Sequence, residues 1–213
     1  MIATAKIIGY DGEILQLKPL SYIDRELLQK QVEEIEIRLT DGREISAVQR
    51  RKIFAIVRDI AAWCGHEPEY IRQFTEFEFR LLNALEPFSL SDCDMSTARE
   101  FISYLIEFCF MHGVPTRDTL LNRTDDIGKY LYSCIEYRRC AVCNEKADIH
   151  HIDTVGMGRN REEIIHKGME VIALCRKHHQ EAHTRGNDFF EEYHIYGIKL
   201  DDYLCSVLEL RKE

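Results

Sequence analysis

Two short pairs of residues stand out by type and spacing: Cys140-Ala-Val-Cys143 and Cys175-Arg-Lys-His178. Each sets two soft ligands three apart on a tight turn, so four side chains can converge tetrahedrally on one Zn²⁺. Between them runs Asp148-Ile-His-His-Ile-Asp153, and just after them His179-Gln-Glu-Ala-His183. On a strand, His150 and His151 project to opposite sides, and Asp148 shares a face with His150. On a helix, His179 and His183 are four apart and share a face. These four histidines, of nine in the chain, suggest a second metal site, rich in nitrogen and oxygen donors, beside the zinc. The helix also sorts its own ligands. Cys175 and His178 can share the zinc, while His179 and His183 face about 100° away from His178. His178 is therefore assigned to zinc and His179 to catalysis.

The scaffold these residues need is small. The apolar run Val171–Leu174 before Cys175 reads as a strand, and the histidine-bearing segment after it as a helix. A segment of this size has little core of its own, and a bound zinc would hold its two ends together. The other five cysteines, Cys64, Cys93, Cys109, Cys134 and Cys205, are isolated and read as small core hydrophobes of a reducing compartment.

Upstream, Tyr10-Asp11-Gly12 between two β-rich runs, Thr4–Ile8 and Glu13–Leu17, predicts a hairpin. A short helix is expected over about 21–31, and the alternation Ile35-Glu-Ile37-Arg-Leu39 predicts a strand. Ser46-Ala-Val-Gln49 is a capping box before a helix over 47–64, which Gly65 should end. Helices are also predicted over 68–85, from a cap at Thr97-Ala-Arg-Glu100 to about His112, and over about 124–138. Phe54, Trp63, Phe101 and Phe108 are expected in the core. The whole is an α+β chain: a mixed α/β domain over residues 1–135, then a small zinc-bound domain with C-terminal helices over 136–213.

The order Cys-x-x-Cys, a strand with His-His-Ile, then Leu-Cys-x-x-His-His and His-x-x-x-His resembles the zinc-stabilised HNH endonucleases of ββα-metal fold, of the type found in phages, over about residues 140–185. The resemblance implies that His150 is a metal ligand, His151 the general base, and His179 and His183 the rest of the catalytic metal site. It implies hydrolysis of DNA phosphodiester bonds with one divalent cation, leaving 5′-phosphate and 3′-hydroxyl ends. An imidazole titrating near neutrality can take a proton from water, and a divalent ion can stabilise the developing charge. The cation would be Mg²⁺, Mn²⁺ or another divalent transition metal, and histidine-rich ligation favours the transition metals. The family's central Asn has no clean equivalent: Asn160, His166 and Glu170 all fall in the intervening segment, and His166 is preferred as a second catalytic residue. Arg159 and Arg161 in the same segment could contact phosphates.

Residues Asp41–Lys52, running into Ile53–Trp63, resemble the phage Orf/NinB recombination-mediator family over about 35–112. That likeness implies a homodimer through the N-terminal domain, single-stranded DNA binding, and SSB or a recombinase as partners. Arg50, Arg51, Lys52 and Arg58 could grip a DNA backbone there. A phage recombination or DNA-processing endonuclease is thus the first expectation, and a non-cleaving, zinc-containing single-stranded DNA-binding mediator the alternative; duplex and branched DNA stay open as targets. A net charge of −9 argues against a large non-specific phosphate-binding surface. The longest apolar runs fall far short of the ~20 residues that cross a bilayer, and the N-terminus has no signal-peptide pattern. The expected location is the cytoplasm, that of the host if a phage encodes the chain.

Overall fold

The computed structural model describes residues 5–19, 42–152 and 165–211. The expected helix at 21–31 and strand at 35–39 lie outside the described residues. The chain divides into two compact units, Met1–Leu39 and Thr40–Glu213. In the first, β1 (Ala5–Tyr10) pairs antiparallel with β2 (Leu15–Pro19), with a register shift between Ile7 and Gly9. Asp11 holds the turn by accepting from the backbone N–H groups of Glu13 and Ile14.

The second unit begins with α1 (Ala47–Cys64). Its Ser46–Gln49 capping box forms as predicted, and Gly65 closes it at φ 74°, a left-handed conformation that glycine adopts without strain. After it come α2 (Pro68–Leu82) and α3 (Met95–His112). The cap of α3 is one turn earlier than predicted. Asp94 accepts from the Thr97 N–H at 2.9 Å, so Thr97 lies inside the first turn rather than before it. A short 3₁₀ turn, Leu120–Asn122, leads to α4 (Ile127–Glu136).

The three helices bury Ile53, Ile56, Val57 and Ile60 of α1 against Phe101, Ile102, Leu105 and Ile106 of α3. Asp59, itself buried, is held by the Arg123 guanidinium at 2.7 Å. Phe101 is fully buried and Phe108 packs against the core, but Phe54 and Trp63 do not join them, being 42% and 45% exposed. Phe54 lies about 140° round the helix from the line of Ile56 and Ile60. Trp63 sits at the open end of α1, beside His112. Cys64 is likewise exposed, whereas Cys93, Cys109, Cys134 and Cys205 are buried as expected.

Then β3 (Asp148–His151) pairs antiparallel with β4 (Glu170–Leu174), which runs into α5 (Arg176–Arg185). α6 (Asn187–Tyr193), β5 (Ile198–Lys199) and α7 (Asp202–Val207) complete the unit, with β5 on the other edge of β4. One apolar core runs from Ile45 to Leu208, with α4 packed on β4. The architecture is α+β, and β3, β4 and α5 form the expected ββα unit. No helix among the described residues is long and apolar enough to cross a membrane.

Candidate metal centres and catalytic face

The Cys-x-x-Cys knuckle is tied to the sheet and to α4. The Ala141 N–H donates to the Ala173 carbonyl at 2.9 Å, and Tyr130 Oη donates to the Ala141 carbonyl at 2.9 Å. Asn144 turns the knuckle at φ 63° and donates from Nδ2 to Tyr130 Oη at 2.7 Å. The second pair sits at the entrance of α5, whose N-cap is Cys175.

The structure brings Cys140, Cys143, Cys175 and His178 together. His178 Nδ1 lies 3.3 Å from Cys140 Sγ and 3.2 Å from Cys175 Sγ, and the sulfurs of Cys143 and Cys175 are 3.7 Å apart. Sulfurs about 2.3 Å from one tetrahedral Zn²⁺ would be about 3.8 Å apart. Three sulfurs and a nitrogen at this spacing fit zinc. Burial pushes the Cys143 thiol up to about 12 and raises Cys140 as well. Burial also raises Cys175, but hydrogen bonds, first that from the His178 N–H, outweigh it and leave that thiol lowered. Its place at a helix N-terminus accounts for this.

A second cluster joins His150 of β3 to His179 and His183 of α5, with donor atoms within 4.8 Å of one another. The His150 ring lies 4.6 Å from that of His179 and 4.7 Å from that of His183. His150 is buried and His183 exposed, so the cluster opens from the core toward solvent. Burial, then the neighbouring His179 and His183, push His150 down to about 4. Burial and His183 also lower His179, against an opposing pull from Asp148. Neutral imidazoles are metal donors, so the set fits a divalent transition metal.

Register turns the next residue away. His150 faces Ile172 and His151 faces Val171 across the ladder, so the two histidines occupy opposite faces of the sheet. His151 Nε2 lies 3.1 Å from His166 Nδ1. The backbone places His166 firmly: its N–H donates to the Arg211 carbonyl at 2.9 Å, and its carbonyl accepts from Met169 at 3.0 Å. Gly168 donates to Leu200 at 2.8 Å, and Lys167 pairs with Asp202 at 2.7 Å. Glu170 follows Ile152 in the ladder, as the Ile152 N–H bond to its carbonyl shows, so by alternation it lies on the face away from His151. Asn160, Arg159 and Arg161 lie outside the described residues.

Of the α1 cations, Lys52 is turned inward, 2.7 Å from the Thr124 carbonyl and 2.5 Å from Asp125. Arg50 reaches the Ser91 carbonyl at 3.4 Å, Arg58 bonds back to Phe54 of its own helix at 3.2 Å, and Arg51 is exposed. Two features escaped the sequence reading. Phe190 of α6 stacks 6.3 Å from His150, flanked by Phe189 and Tyr193 beside His178; the aromatic spacing 189, 190, 193 after Gly186 was its signal. The Arg211 carbonyl is a backbone group and has no signal.

A ββα unit with a knuckle of three cysteines and a histidine, and histidines on both faces of its first strand, defines a ββα-metal protein of the HNH class. A family model described as "Putative HNHc nuclease" matches residues 20–211, and the chain belongs to that nuclease family. Nucleic acid is the substrate class this membership implies. None of the curated proteins and none of the solved structures compared with the chain matches it.

Proposed function

We propose that the protein is a metal-dependent DNA endonuclease in which His151 is the general base and His166 orients it. The observation that carries this reading is the division of β3: His150 turns toward His179 and His183, while the adjacent His151 turns toward His166. A proton acceptor and a cation-binding set thus stand one residue apart. A cation held by His150, His179 and His183 would supply charge stabilisation at the scissile phosphate and the departing oxygen. His151 does the proton chemistry. With Nε2–H donated to His166 Nδ1, the basic lone pair is on His151 Nδ1, which takes the proton of the attacking water. His166 then shares the positive charge of the imidazolium. Cys140, Cys143, Cys175 and His178 hold a zinc that keeps the knuckle and the start of α5 together.

In this reading the chemistry belongs to about residues 136–211, and the preceding helices support it. The setting we propose is phage recombination or DNA processing, supported by the N-terminal likeness alone. The test is plasmid nicking across Mg²⁺, Mn²⁺, Ni²⁺ and Zn²⁺, with zinc measured in parallel. His151→Ala should abolish cleavage while zinc content persists. Wild-type protein that binds DNA and cuts with none of these metals would refute the reading.

A further inference from the structure

His150, the buried member of the second cluster, is held by rings rather than by a hydrogen bond. A metal-binding histidine ordinarily fixes its ring by donating from the second nitrogen to a carboxylate or a backbone carbonyl. Among the described residues no side-chain hydrogen bond reaches His150, although only 7% of it is exposed. What meets the ring instead is aromatic. His179 and His183 stand nearly perpendicular to it, at 81° and 77°, and these are its partners around a cation. A third neighbour is Phe190 of α6, whose ring stacks on it at 30° with centroids 6.3 Å apart.

Phe190 is itself built into place. Gly186 ends α5 at φ 57° and ψ −131°, a positive φ that glycine adopts without a Cβ penalty, and the turn lets α6 pack on α5. Arg185 spans that turn, bonding Glu181 of α5 at 2.8 Å and also Glu192 of α6. Phe189, fully buried, meets Phe190 edge-on at 5.4 Å and Tyr193 at 5.1 Å. Successive residues of a helix splay by about 100°. On α5 that angle separates His178 of the zinc set from His179 of the second cluster. On α6 it separates Phe189, whose ring lies 6.3 Å from that of His178, from Phe190 on His150. Consecutive aromatics on one helix thus answer consecutive histidines on the other, and each metal centre has its own ring.

An imidazole that must stop turning in order to bind a cation loses affinity to that ordering, and a ring already held in its binding pose loses less. Phe190 packs against the core and gives its face to His150, so it is committed to the protein rather than to a nucleic-acid base. Deleting its ring leaves a gap beside His150 into which the imidazole can swing. The zinc centre keeps Phe189 and Tyr193 beside His178 and is not touched by that change.

We propose that Phe190 is a positioning residue for the catalytic metal: the face of its ring pre-orients His150 to bind the cation shared with His179 and His183. The proposal rests on the metal-site part of the nuclease reading and not on cleavage itself. Its test is calorimetric titration of Ni²⁺ into the zinc-loaded, full-length chain, with zinc content and melting temperature measured alongside. His150→Ala should abolish Ni²⁺ binding. Phe190→Ala should weaken it by about 10-fold or more, the scale of a lost orienting partner, with zinc content unchanged. Phe190→Tyr should keep wild-type affinity, and Phe190→Leu, which fills the space without a flat face, should fall between. Wild-type affinity in Phe190→Ala overturns the proposal, as does wild-type affinity in Phe190→Leu should the alanine chain lose its zinc. So does a Phe190→Tyr chain that binds Ni²⁺ as weakly as Phe190→Leu. A wild-type chain that binds Ni²⁺ and never nicks DNA refutes the nuclease reading alone, and the order of the four affinities still decides the role of Phe190. A wild-type chain that takes up no Ni²⁺ overturns both.

Discussion

His151 Nε2 and His166 Nδ1 lie 3.1 Å apart, across fourteen intervening residues, and only one of the two nitrogens can carry the shared hydrogen while both rings are neutral. With His166 as the acceptor, as proposed, the arrangement would do for His151 what a side-chain amide acceptor does: choose the tautomer and fix the ring plane. On the proposed reading, in which His151 is the base and His166 accepts from it, removing His166 should weaken catalysis without removing the base. His166→Ala is expected to lower kcat by about 10–100-fold, the usual cost of losing an orienting partner, with little change in KM. His166→Asn should recover part of the loss, because an amide oxygen can accept the same hydrogen. Steady-state nicking rates with zinc content as control check this, and equal losses for both variants would refute an orienting role.

The position of His166 is itself borrowed from the chain's end. Its N–H meets the Arg211 carbonyl at 2.9 Å, and the turn over 166–169 is sewn to Leu200 by two further backbone bonds. Ending the chain at Leu210 removes the first of these and leaves the packed Leu208 and Leu210 in place. Small displacements of a catalytic group cost up to about 100-fold, so kcat should fall by about 10-fold. Zinc content and thermal stability should stay near wild type. Unchanged kcat would mean that the turn holds His166 unaided.

Burial beside two other imidazoles holds His150 down to about 4, from an ordinary value of 6.5. The sign follows from linkage. Between those values the unfolded chain binds a proton that the folded chain resists, so stability rises with pH in that window. Metal-free protein should accordingly lose thermal stability as pH falls from 6.5 toward 4. His150→Gln should flatten that part of the profile, as melting temperatures taken across the range would show. A wild-type profile flat over the window would contradict the placement of His150.

The ββα unit was legible because each of its signals is local. Cys140-x-x-Cys143 and Cys175-x-x-His178 report their own spacing, and the strand and helix periods decide which way His150, His151, His179 and His183 project. What stayed hidden depends on contacts far apart in the chain. Counting could not rank the candidates for the central residue, since the register of β3 on β4 decides the face of Glu170 and a distant backbone contact, to the Arg211 carbonyl, holds His166. Phe54 and Trp63 read as core because their type is apolar, yet burial depends on what covers the helix, and the two lie on different sides of α1, each left about half covered. The cap of α3 shifted by one turn because Asp94 and Thr97 are both competent caps, and Asp94 also joins the bridge to Glu44.

Tyr130 couples the helical part of the chain to the zinc knuckle through one hydroxyl. That oxygen donates to the Ala141 carbonyl at 2.9 Å and accepts from Asn144 Nδ2 at 2.7 Å, while Asn144 Oδ1 accepts from the Leu120 N–H at 2.6 Å. Ala141 lies between the two cysteines of the knuckle, and Tyr130 is almost wholly buried. Tyr130→Phe leaves a carbonyl and an amide each short of a partner away from water, a cost of about 1–3 kcal/mol. In a chain of this size that is a fall of about 2–4 °C in Tm per kcal/mol. The knuckle should also open more often, so zinc should pass to a competing chelator faster than from the wild type. Tyr130→Phe combined with Asn144→Ala should cost less than the sum of the two, because both act on one network. Strict additivity, or zinc transfer at the wild-type rate, would show that α4 packs beside the knuckle without bracing it.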